Sequence, residues 1–469
     1  MKISILTIRN LTTTPIKLKR LECSRNSCEK SYSNIGINKI FYRRGEKFIS
    51  CPQRQIQAKS DNLIEEVSFN VEPFESRTTN IKSHPEQIFR LTFEAEEQLY
   101  ELVTSNKYAR TTSLTCLSSD PRLHLTAIYH ADFRHISLFT SVNLESWMSK
   151  LDDEISLSYI SIPGTHNSPT CYTALPTVRC QAVGVKEQLQ NGVRFLDIRV
   201  QPENPDDPSK DELILVHSAF PISLTGNKYF RNIVDTVYNF LDANPSETVI
   251  ISLKREGVGR STDQQLSKIL YNHYACDKGR WFTENRIPTL GEVRKKIVLI
   301  RRFGLDDSLK RENDHQGWAI DAECWPDNCT DGSCLGGDIR IQDFYEVSKV
   351  SSIQKKISYS VEQLVRSAQS VLDLNSVVKE IPKQPIFMNF LSGSSFWSAK
   401  CWPDRVAAKV NPYIIDHLCR KHNEPSALSR GRDIGNGSTG IVVCDWIGKN
   451  DNWDLVNCII AMNTRLQVL

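Results

Sequence analysis

The sequence lacks the features that mark several broad classes of protein. It has no apolar run as long as a membrane-spanning helix. Its 58 basic and 55 acidic residues nearly balance, which gives no basic footprint for nucleic acid. It also lacks a glycine-rich phosphate loop that would open a helix in a nucleotide-binding sheet. At 40% hydrophobic and 24% charged residues, the chain is predicted to be globular rather than disordered.

The 14 cysteines lack the paired Cys-x2-Cys spacing and neighbouring histidines of a structural zinc site. Cys324, Cys329 and Cys334 cluster in one stretch, as a disulfide-pinned loop or as reduced thiols. Residues 1–11 have a short apolar part and no small-residue cleavage site, which favours a first strand over a secretory signal. Reduced thiols are therefore favoured. We expect a cytoplasmic or peripheral membrane location, with secretion by a non-standard route left open.

At 469 residues the chain is predicted to form two domains, residues 1–142 and 143–469. Short alternating stretches at 3–9, 67–71, 89–93 and 123–129, with turn-rich segments between them, predict an all-β, sandwich-like first domain. This domain shows no catalytic constellation. Docking to a membrane or partner, or support of the second domain, is its expected role.

Residues 143–469 alternate between predicted strands and amphipathic helices. Residues 230–241 have a clear helical apolar face, and further helices are predicted at 261–275, 345–374 and 401–421. Eight strands are predicted, ending near Ile162, Arg199, His217, Lys254, Arg302, Asp343, Leu391 and Asp445. This pattern indicates an α/β fold, a distorted (β/α)8 TIM-type barrel, with an open doubly wound sheet as the alternative.

The stretch Ser161-Ile-Pro-Gly-Thr-His-Asn-Ser168 begins this second region. Residues 155–160 before it alternate and predict a strand, which Pro163-Gly164 is expected to stop. His166 would then lie just past a strand end, where α/β enzymes place their catalytic groups. The alternative is a histidine that only forms a hydrogen bond in a turn.

Ionisable residues also end other predicted strands, although such a group is costly in an apolar strand unless it is paired or used. The carboxyl ends of barrel strands open on one rim, so these residues predict a catalytic site there. Two histidines, His166 and His217, suit phosphodiester cleavage by an internal hydroxyl, one as base and the other as acid. Arg199 and Lys254 would offset charge on the phosphate oxygens, and Asp445 could fix a histidine tautomer.

Six motifs follow one another in an order and spacing that chance does not explain: Pro163-Gly-Thr-His166-Asn-Ser168, Phe195-Leu-Asp-Ile-Arg199, the His217 strand, Ser252-Leu-Lys254-Arg-Glu256, Gln342-Asp343-Phe-Tyr345 and Gly440-Ile-Val-Val-Cys-Asp445. Together they resemble the X-box region of phosphatidylinositol-specific phospholipase C, most of all its bacterial, single-X-domain branch, over about residues 145–469. The resemblance implies a distorted TIM barrel that cleaves phosphatidylinositol to diacylglycerol and inositol 1,2-cyclic phosphate. A β domain before such a barrel is similar to fungal phospholipase C-like proteins.

The resemblance also implies roles for individual residues. His166 matches the general base on the inositol 2-hydroxyl, with Asp445 orienting it, and His217 matches the general acid. Arg199 matches the arginine that stabilises the phosphate, and Asp197 matches its buried partner. The remaining matches are to inositol-pocket positions: Lys254, Glu256, Arg302, Asp343 and Tyr345. Two arginines are adjacent at position 302 of this set, and Arg301 is an equal alternative to Arg302 for the contact with inositol.

One position departs from the bacterial branch, which usually has aspartate directly after the first histidine. Here the residue is Asn167, which carries no charge and could weaken coupling to His217. In calcium-dependent relatives an asparagine at this position binds calcium together with carboxylates at the positions of Asp197, Arg199 and Lys254. Two cations in that shell would repel calcium, so catalysis is expected to need neither a metal nor a cofactor.

Two alternatives to a phosphatidylinositol-cleaving enzyme remain at this point. The chain could be a catalytically weak module that binds phospholipid, or a phosphodiesterase that acts on another phospholipid or glycophospholipid. In each case the expected partner is a phospholipid at a membrane surface, approached from outside the bilayer, and not a nucleic acid.

Overall fold

A computed structural model of the chain describes residues 4–25, 63–83, 87–104, 111–207, 209–315, 317–369, 384–423 and 435–467. The described part of residues 4–140 forms two five-stranded sheets, with strand orders β4-β1-β10-β9-β7 and β3-β2-β5-β6-β8. Their strands are β1 Ser4–Asn10, β2 Ile16–Arg25, β3 Leu63–Val71, β4 Ser76–Ser83, β5 Gln87–Ala95, β6 Gln98–Val103, β7 Thr111–Ser113, β8 Thr115–Cys116, β9 Leu125–His130 and β10 His135–Thr140.

The two sheets share an apolar core of alternate strand residues, among them Leu18, Phe89 and Phe93. All four predicted strands of this region are found, because one face of each is apolar and becomes buried. An all-β domain over residues 1–142 stays a prediction, since residues 26–62 lie outside the described ranges.

The second region forms one curled sheet flanked by helices. Its strands are β11 Ile162–Thr165, β12 Phe195–Pro202, β13 Leu213–His217, β14 Phe220–Pro221, β15 Val249–Arg255, β16 Trp281–Phe282, β17 Ile297–Arg302, β18 Ile320–Asp321, β19 Gly332–Ser333, β20 Ile339–Gln342, β21 Ile386–Phe390 and β22 Ile441–Cys444. Its helices are α1 Val185–Gln190, α2 Phe230–Ala243, α3 Asp263–His273, α4 Leu290–Val293, α5 Glu312–His315, α6 Val350–Ala368, α7 Pro403–Arg420 and α8 Asp454–Ala461.

The predicted helices correspond to α2, α3, α6 and α7, and the predicted end of α6 at 370–374 lies outside the described residues. The six periodic apolar residues of α2 are all buried. Within the described ranges, none of the helices has both the length and the apolarity that crossing a membrane requires.

Seven strands run parallel in the order β17-β15-β12-β11-β22-β21-β20, so their carboxyl ends lie along one edge. At the two ends of this sheet, β16 and β18 pair with β17 and β19 pairs with β20, and no pairing among the described residues joins the two ends, so the barrel is open there. The prediction of eight parallel strands was wrong at β13, which pairs antiparallel with β12. Residues 203–212 are too few for a parallel crossover, which needs a dozen or more.

The prediction of a strand over residues 155–160 was also wrong. Residues 157–159 form a 3-10 turn, and the strand is β11, which runs through Pro163 and Gly164. The carbonyl of Pro163 accepts a bond from the amide of Arg194, just before β12 begins. The nitrogen of Pro163 faces that same side. Because β12 has not yet begun at this level, the missing N–H of the proline costs no bond of the β11–β12 ladder. His166 still follows the end of the strand, as predicted.

The two regions meet at the carboxyl end of α7. The guanidinium of Arg9, on β1, donates to the carbonyls of Leu418, Cys419 and His422, which satisfies the last carbonyls of the helix. Ser137 on β10 also donates to the carbonyl of Cys419, at 3.0 Å. The β region is therefore attached to the end of α7 that lies farthest from Pro403.

Candidate active site

The carboxyl ends of the parallel strands enclose a cavity of about 500 Å³. Nine of the eleven site residues predicted from sequence line it: His166, Arg199, His217, Lys254, Glu256, Arg302, Asp343, Tyr345 and Asp445. The other two, Asn167 and Asp197, are buried in contact with this set. Most of these residues come together because they lie at or just after the carboxyl ends of parallel strands. His217 reaches the cavity from the end of β13, which runs antiparallel to β12.

His166 is held from both sides. Its Nδ1–H donates to Oδ1 of Asp445 at 2.9 Å, and its Nε2 accepts from Nδ2 of Asn167 at 3.0 Å. Burial opposes protonation of the ring, but the Asp445 carboxylate outweighs it and raises the pKa of His166 above its ordinary value. The Asn167 amide thus contacts the ring of His166, while its expected effect on coupling to His217 stays a prediction.

His217 faces His166 with the ring centroids 5.9 Å apart and the rings nearly perpendicular. Its Nδ1–H donates to the carbonyl of Val178 at 2.9 Å, which fixes its tautomer. Burial, together with the charges of Arg199 and His166, lowers the pKa of His217 to about 4.

Each of three site residues is followed by a residue with left-handed backbone. Asn167 after His166 has φ +42°, Ser218 after His217 has φ +54°, and Trp446 after Asp445 has φ +53°. Residues other than glycine rarely adopt this conformation, and such strain concentrates at functional sites. The chain turns sharply at all three strand ends, which directs the preceding side chain into the cavity.

Asp197 is a fully buried carboxylate that two guanidinium groups share. Its Oδ2 lies 3.3 Å from Arg199 and its Oδ1 3.3 Å from Arg302. Oδ2 also accepts from the amide of Asn167 at 3.1 Å. Burial opposes ionisation, but the two arginines outweigh it and keep the pKa of Asp197 below its usual value. This carboxylate fixes both arginines in the cavity wall.

Arg199 makes a second ion pair, with Oε1 of Glu256 at 3.0 Å, and Lys254 pairs with the same oxygen at 2.9 Å. The guanidinium has five N–H donors. The two bonds to carboxylates leave donors for an anionic ligand, and Nε of Arg199 has no protein partner. The other oxygen of Glu256 accepts from the amide of Ser218 at 2.7 Å, so this carboxylate links β15 to the turn after His217.

Sequence reasoning missed one wall of the cavity. The Trp325 ring lies under the Arg302 guanidinium at 3.6 Å, and its Nε1–H donates to Asp343 at 3.0 Å. Nearby, the Tyr345 hydroxyl donates to Asp327 at 2.9 Å. Trp325 belongs to the cysteine-rich stretch, where only metal and disulfide roles had been considered. Cys324, Cys329 and Cys334 are free thiols there.

The arginine ambiguity is resolved by the direction of the two side chains. Arg302 lines the cavity, whereas Arg301 points away from it and binds Asp321 and Glu323. Neighbouring strand residues point to opposite faces of a sheet, so only one of the two can face the cavity.

Comparison with known proteins shows which family the chain resembles. The family model described as Phosphatidylinositol-specific phospholipase C, X domain, matches residues 154–303. These residues are therefore similar to the X domain of that family. A 1-phosphatidylinositol phosphodiesterase of Listeria monocytogenes is 35% identical to the chain over 169 residues, which cover 34% of this chain and 49% of that relative. The match therefore spans about half the length of the Listeria protein.

A 1-phosphatidylinositol phosphodiesterase of Staphylococcus aureus is 28% identical over 357 residues, which cover 71% of this chain and 98% of that relative. A solved structure of a double mutant of the phosphatidylinositol-specific phospholipase C from the same organism is 25% identical, with a TM-score of 0.52 over 68% of this chain and 97% of that one. The residues that the family model matches include both histidines of the cavity, while Asp343, Tyr345 and Asp445 follow the match in the chain.

Proposed function

We propose that the cavity cleaves phosphatidylinositol to diacylglycerol and inositol 1,2-cyclic phosphate without a metal ion. The observation that carries this proposal is the facing pair of histidines, each with Nδ1–H engaged, by Asp445 for His166 and by the Val178 carbonyl for His217. Such a pair can remove a proton on one side of a phosphodiester and return one on the other.

The substrate would use each part of the cavity differently. The inositol 2-hydroxyl would displace the Asn167 amide from Nε2 of His166 and give up its proton there. The leaving oxygen would take a proton from His217. Arg199 would bind the phosphate oxygens through donors that its two carboxylate partners leave available. Trp325 and Tyr345 offer aromatic surface to the ring, and the carboxylates Glu256 and Asp343 can accept from its hydroxyls.

A catalytically weak phospholipid-binding module is a second candidate, and one observation favours it. Nε2 of His166 already has the Asn167 amide as a partner at 3.0 Å, so a substrate hydroxyl must replace that bond. This competition would lower turnover without removing lipid binding. If the substrate were a different phospholipid or glycophospholipid, only the contacts between its headgroup and the cavity wall would differ.

Three exposed aromatic side chains near the cavity mouth suit contact with a membrane surface. Phe220 follows His217 closely in the chain and stacks on Phe396 at 6.4 Å, and Phe396 contacts Trp397 at 5.0 Å. Phe396 is 54% and Trp397 91% exposed. The indole of Trp397 combines an apolar ring with an N–H, which favours the membrane interface, and the two phenylalanines add apolar surface. We therefore propose that these three residues, the aromatic rim, contact the bilayer surface while the cavity binds a lipid headgroup.

The β region is more suited to support than to docking at that rim. It binds the carboxyl end of α7 through Arg9, whereas Pro403 at the start of α7 lines the cavity. A helix of 18 residues is about 27 Å long, so the two ends are far apart. Leu11, Ile128 and Phe139 of the β region also pack into the core of the barrel. A second membrane or partner contact through the β region stays open.

Replacing each histidine by alanine tests the proposed mechanism on two substrates. On phosphatidylinositol, His166→Ala and His217→Ala should each lose roughly 10²- to 10⁴-fold in turnover. On a nitrophenyl inositol phosphate, whose leaving group needs no proton, His217→Ala should recover most of this loss and His166→Ala should not. Recovery in His166→Ala instead would reverse the two roles. Near-normal turnover of either folded variant on phosphatidylinositol would refute the proposal.

A further inference from the structure

A thiol lies beside the two histidines and has no part in the proposed mechanism. One ring nitrogen of His166, one of His217 and Sγ of Cys180 all lie within 4.8 Å of one another. Sγ of Cys180 is 3.8 Å from Nδ1 of His217, and the cysteine is fully buried. We propose that these three side chains form an inhibitory binding site for a thiophilic divalent cation such as Zn²⁺.

The set of donors decides the class of cation. One thiolate and two imidazoles form a set that zinc uses in proteins, whereas calcium and magnesium prefer oxygen ligands. With Zn–S near 2.3 Å and Zn–N near 2.0–2.1 Å, tetrahedral ligand atoms lie roughly 3.3–3.8 Å apart. Side-chain shifts of about 1 Å would therefore close the cluster around an ion. Both histidines line the cavity, which supplies the route of entry and a water as fourth ligand.

The surroundings of the two rings resemble the outer sphere of a metal site. A histidine that binds a metal commonly donates its other N–H to a carboxylate or a backbone carbonyl. His166 donates in this way to Asp445, which leaves Nε2 for an ion in place of the Asn167 amide. His217 donates to the Val178 carbonyl at 2.9 Å. The ion would use Nε2 of that ring, or Nδ1 after release of the carbonyl.

The charges around the cluster also accommodate a dication. Carboxylates outnumber cations among the charged residues that line the cavity: Glu256, Glu323, Asp327, Asp343, Glu346 and Asp445 against Arg199, Lys254 and Arg302. This excess of negative charge favours a dication. Burial raises the pKa of the Cys180 thiol, so binding must release its proton. Affinity for the cation should therefore increase as the pH rises.

Binding here would stop catalysis because the ion occupies nitrogens that must exchange protons with the substrate. This inhibitory consequence rests on the proposed function, whereas the existence of the metal site does not. The two can be tested separately on the full-length protein, by spectroscopy for the site and by hydrolysis for its effect.

Cobalt(II) is the probe for the site, since a cobalt–thiolate bond gives a charge-transfer band in the near ultraviolet. We expect chelator-treated wild type to develop this band, and zinc to displace the cobalt. Cys180→Ser and Cys180→Ala should lose the band and bind zinc at least about 100-fold more weakly, because even outer-sphere changes cost 10- to 100-fold. Cys171→Ser, in the same loop, is the matched control and should behave as wild type.

In the hydrolysis assay, zinc should inhibit wild type and Cys171→Ser, and EDTA should reverse the inhibition. Both Cys180 variants should keep basal activity and lose sensitivity to zinc. A wild type without a thiolate band at saturating cobalt, or a band that persists in a folded Cys180 variant, would overturn the metal site. An intact, Cys180-dependent band in a protein that does not cleave phosphatidylinositol would support the site and refute the proposed function.

Discussion

Binding of an anionic phosphodiester should raise the pKa of His217 from about 4 to about 7. The free site keeps this ring neutral near pH 7, although the proposed general acid must carry a proton. To test this shift, a non-hydrolysable inositol phosphonate would be bound between the rings of His166 and His217. One negative charge at ~4 Å, with an effective dielectric of ~20, stabilises the imidazolium by about 4 kcal/mol. That energy corresponds to roughly three pKa units.

The sign of the linkage follows from the two pKa values. Because the bound complex has the higher pKa, the ligand takes up a proton on binding between about pH 4 and 7. Its affinity should therefore strengthen as the pH falls through that window, by up to about 10³-fold, and this protonation contribution should vanish above it. Calorimetry in buffers of different ionisation enthalpy would measure the proton uptake.

Nuclear magnetic resonance of labelled histidine would follow the ring itself. His417 is a suitable control, because it is also buried with a pKa of about 4 but lies near the carboxyl end of α7. We expect the ligand to shift the titration of His217 and leave His417 unchanged. A bound His217 that still titrates near 4, or a free His217 that already titrates near 7, would refute the electrostatic reasoning.

Three further predictions test single contacts. Asn167→Asp would place a carboxylate on Nε2 of His166 and stabilise its charged form, so turnover should fall and the acidic limb of the pH–activity profile should move to higher pH; an increased turnover at unchanged pH optimum would contradict this. Wild type should still hydrolyse its substrate in excess EGTA, and Arg199→Asp should lose at least about 100-fold in turnover. If chelator abolished the activity of wild type and calcium restored it, the enzyme would belong to the metal-dependent branch. Trp397→Ala should weaken binding to phosphatidylinositol vesicles about tenfold and leave turnover of a soluble short-chain substrate unchanged. Tyr413→Ala, at another exposed aromatic residue, should change neither vesicle binding nor this turnover.

The two histidines and Asp445 of the candidate site could be predicted from sequence because each stands at the end of an apolar run. His166, His217 and Asp445 keep that position although the strand before His166 was misplaced and the strand of His217 runs antiparallel. Local pattern determines where a buried run ends, and an ionisable residue there has few alternatives to a functional role. The direction of β13 was not readable from its own residues, since the apolar alternation is the same in both directions.

Contacts between residues distant in the chain were decided only by the tertiary structure. No spacing in the sequence places Trp325 under Arg302, the Asn167 amide on His166, or Cys180 beside the two histidines. The same holds for proton location, because the pKa of His217 depends on burial and on Arg199, which reaches it from another strand. Sequence by itself thus determined the ionisable groups at the strand ends. Packing decided which of them touch and which carries the proton, because burial and distance set the strength of every charge.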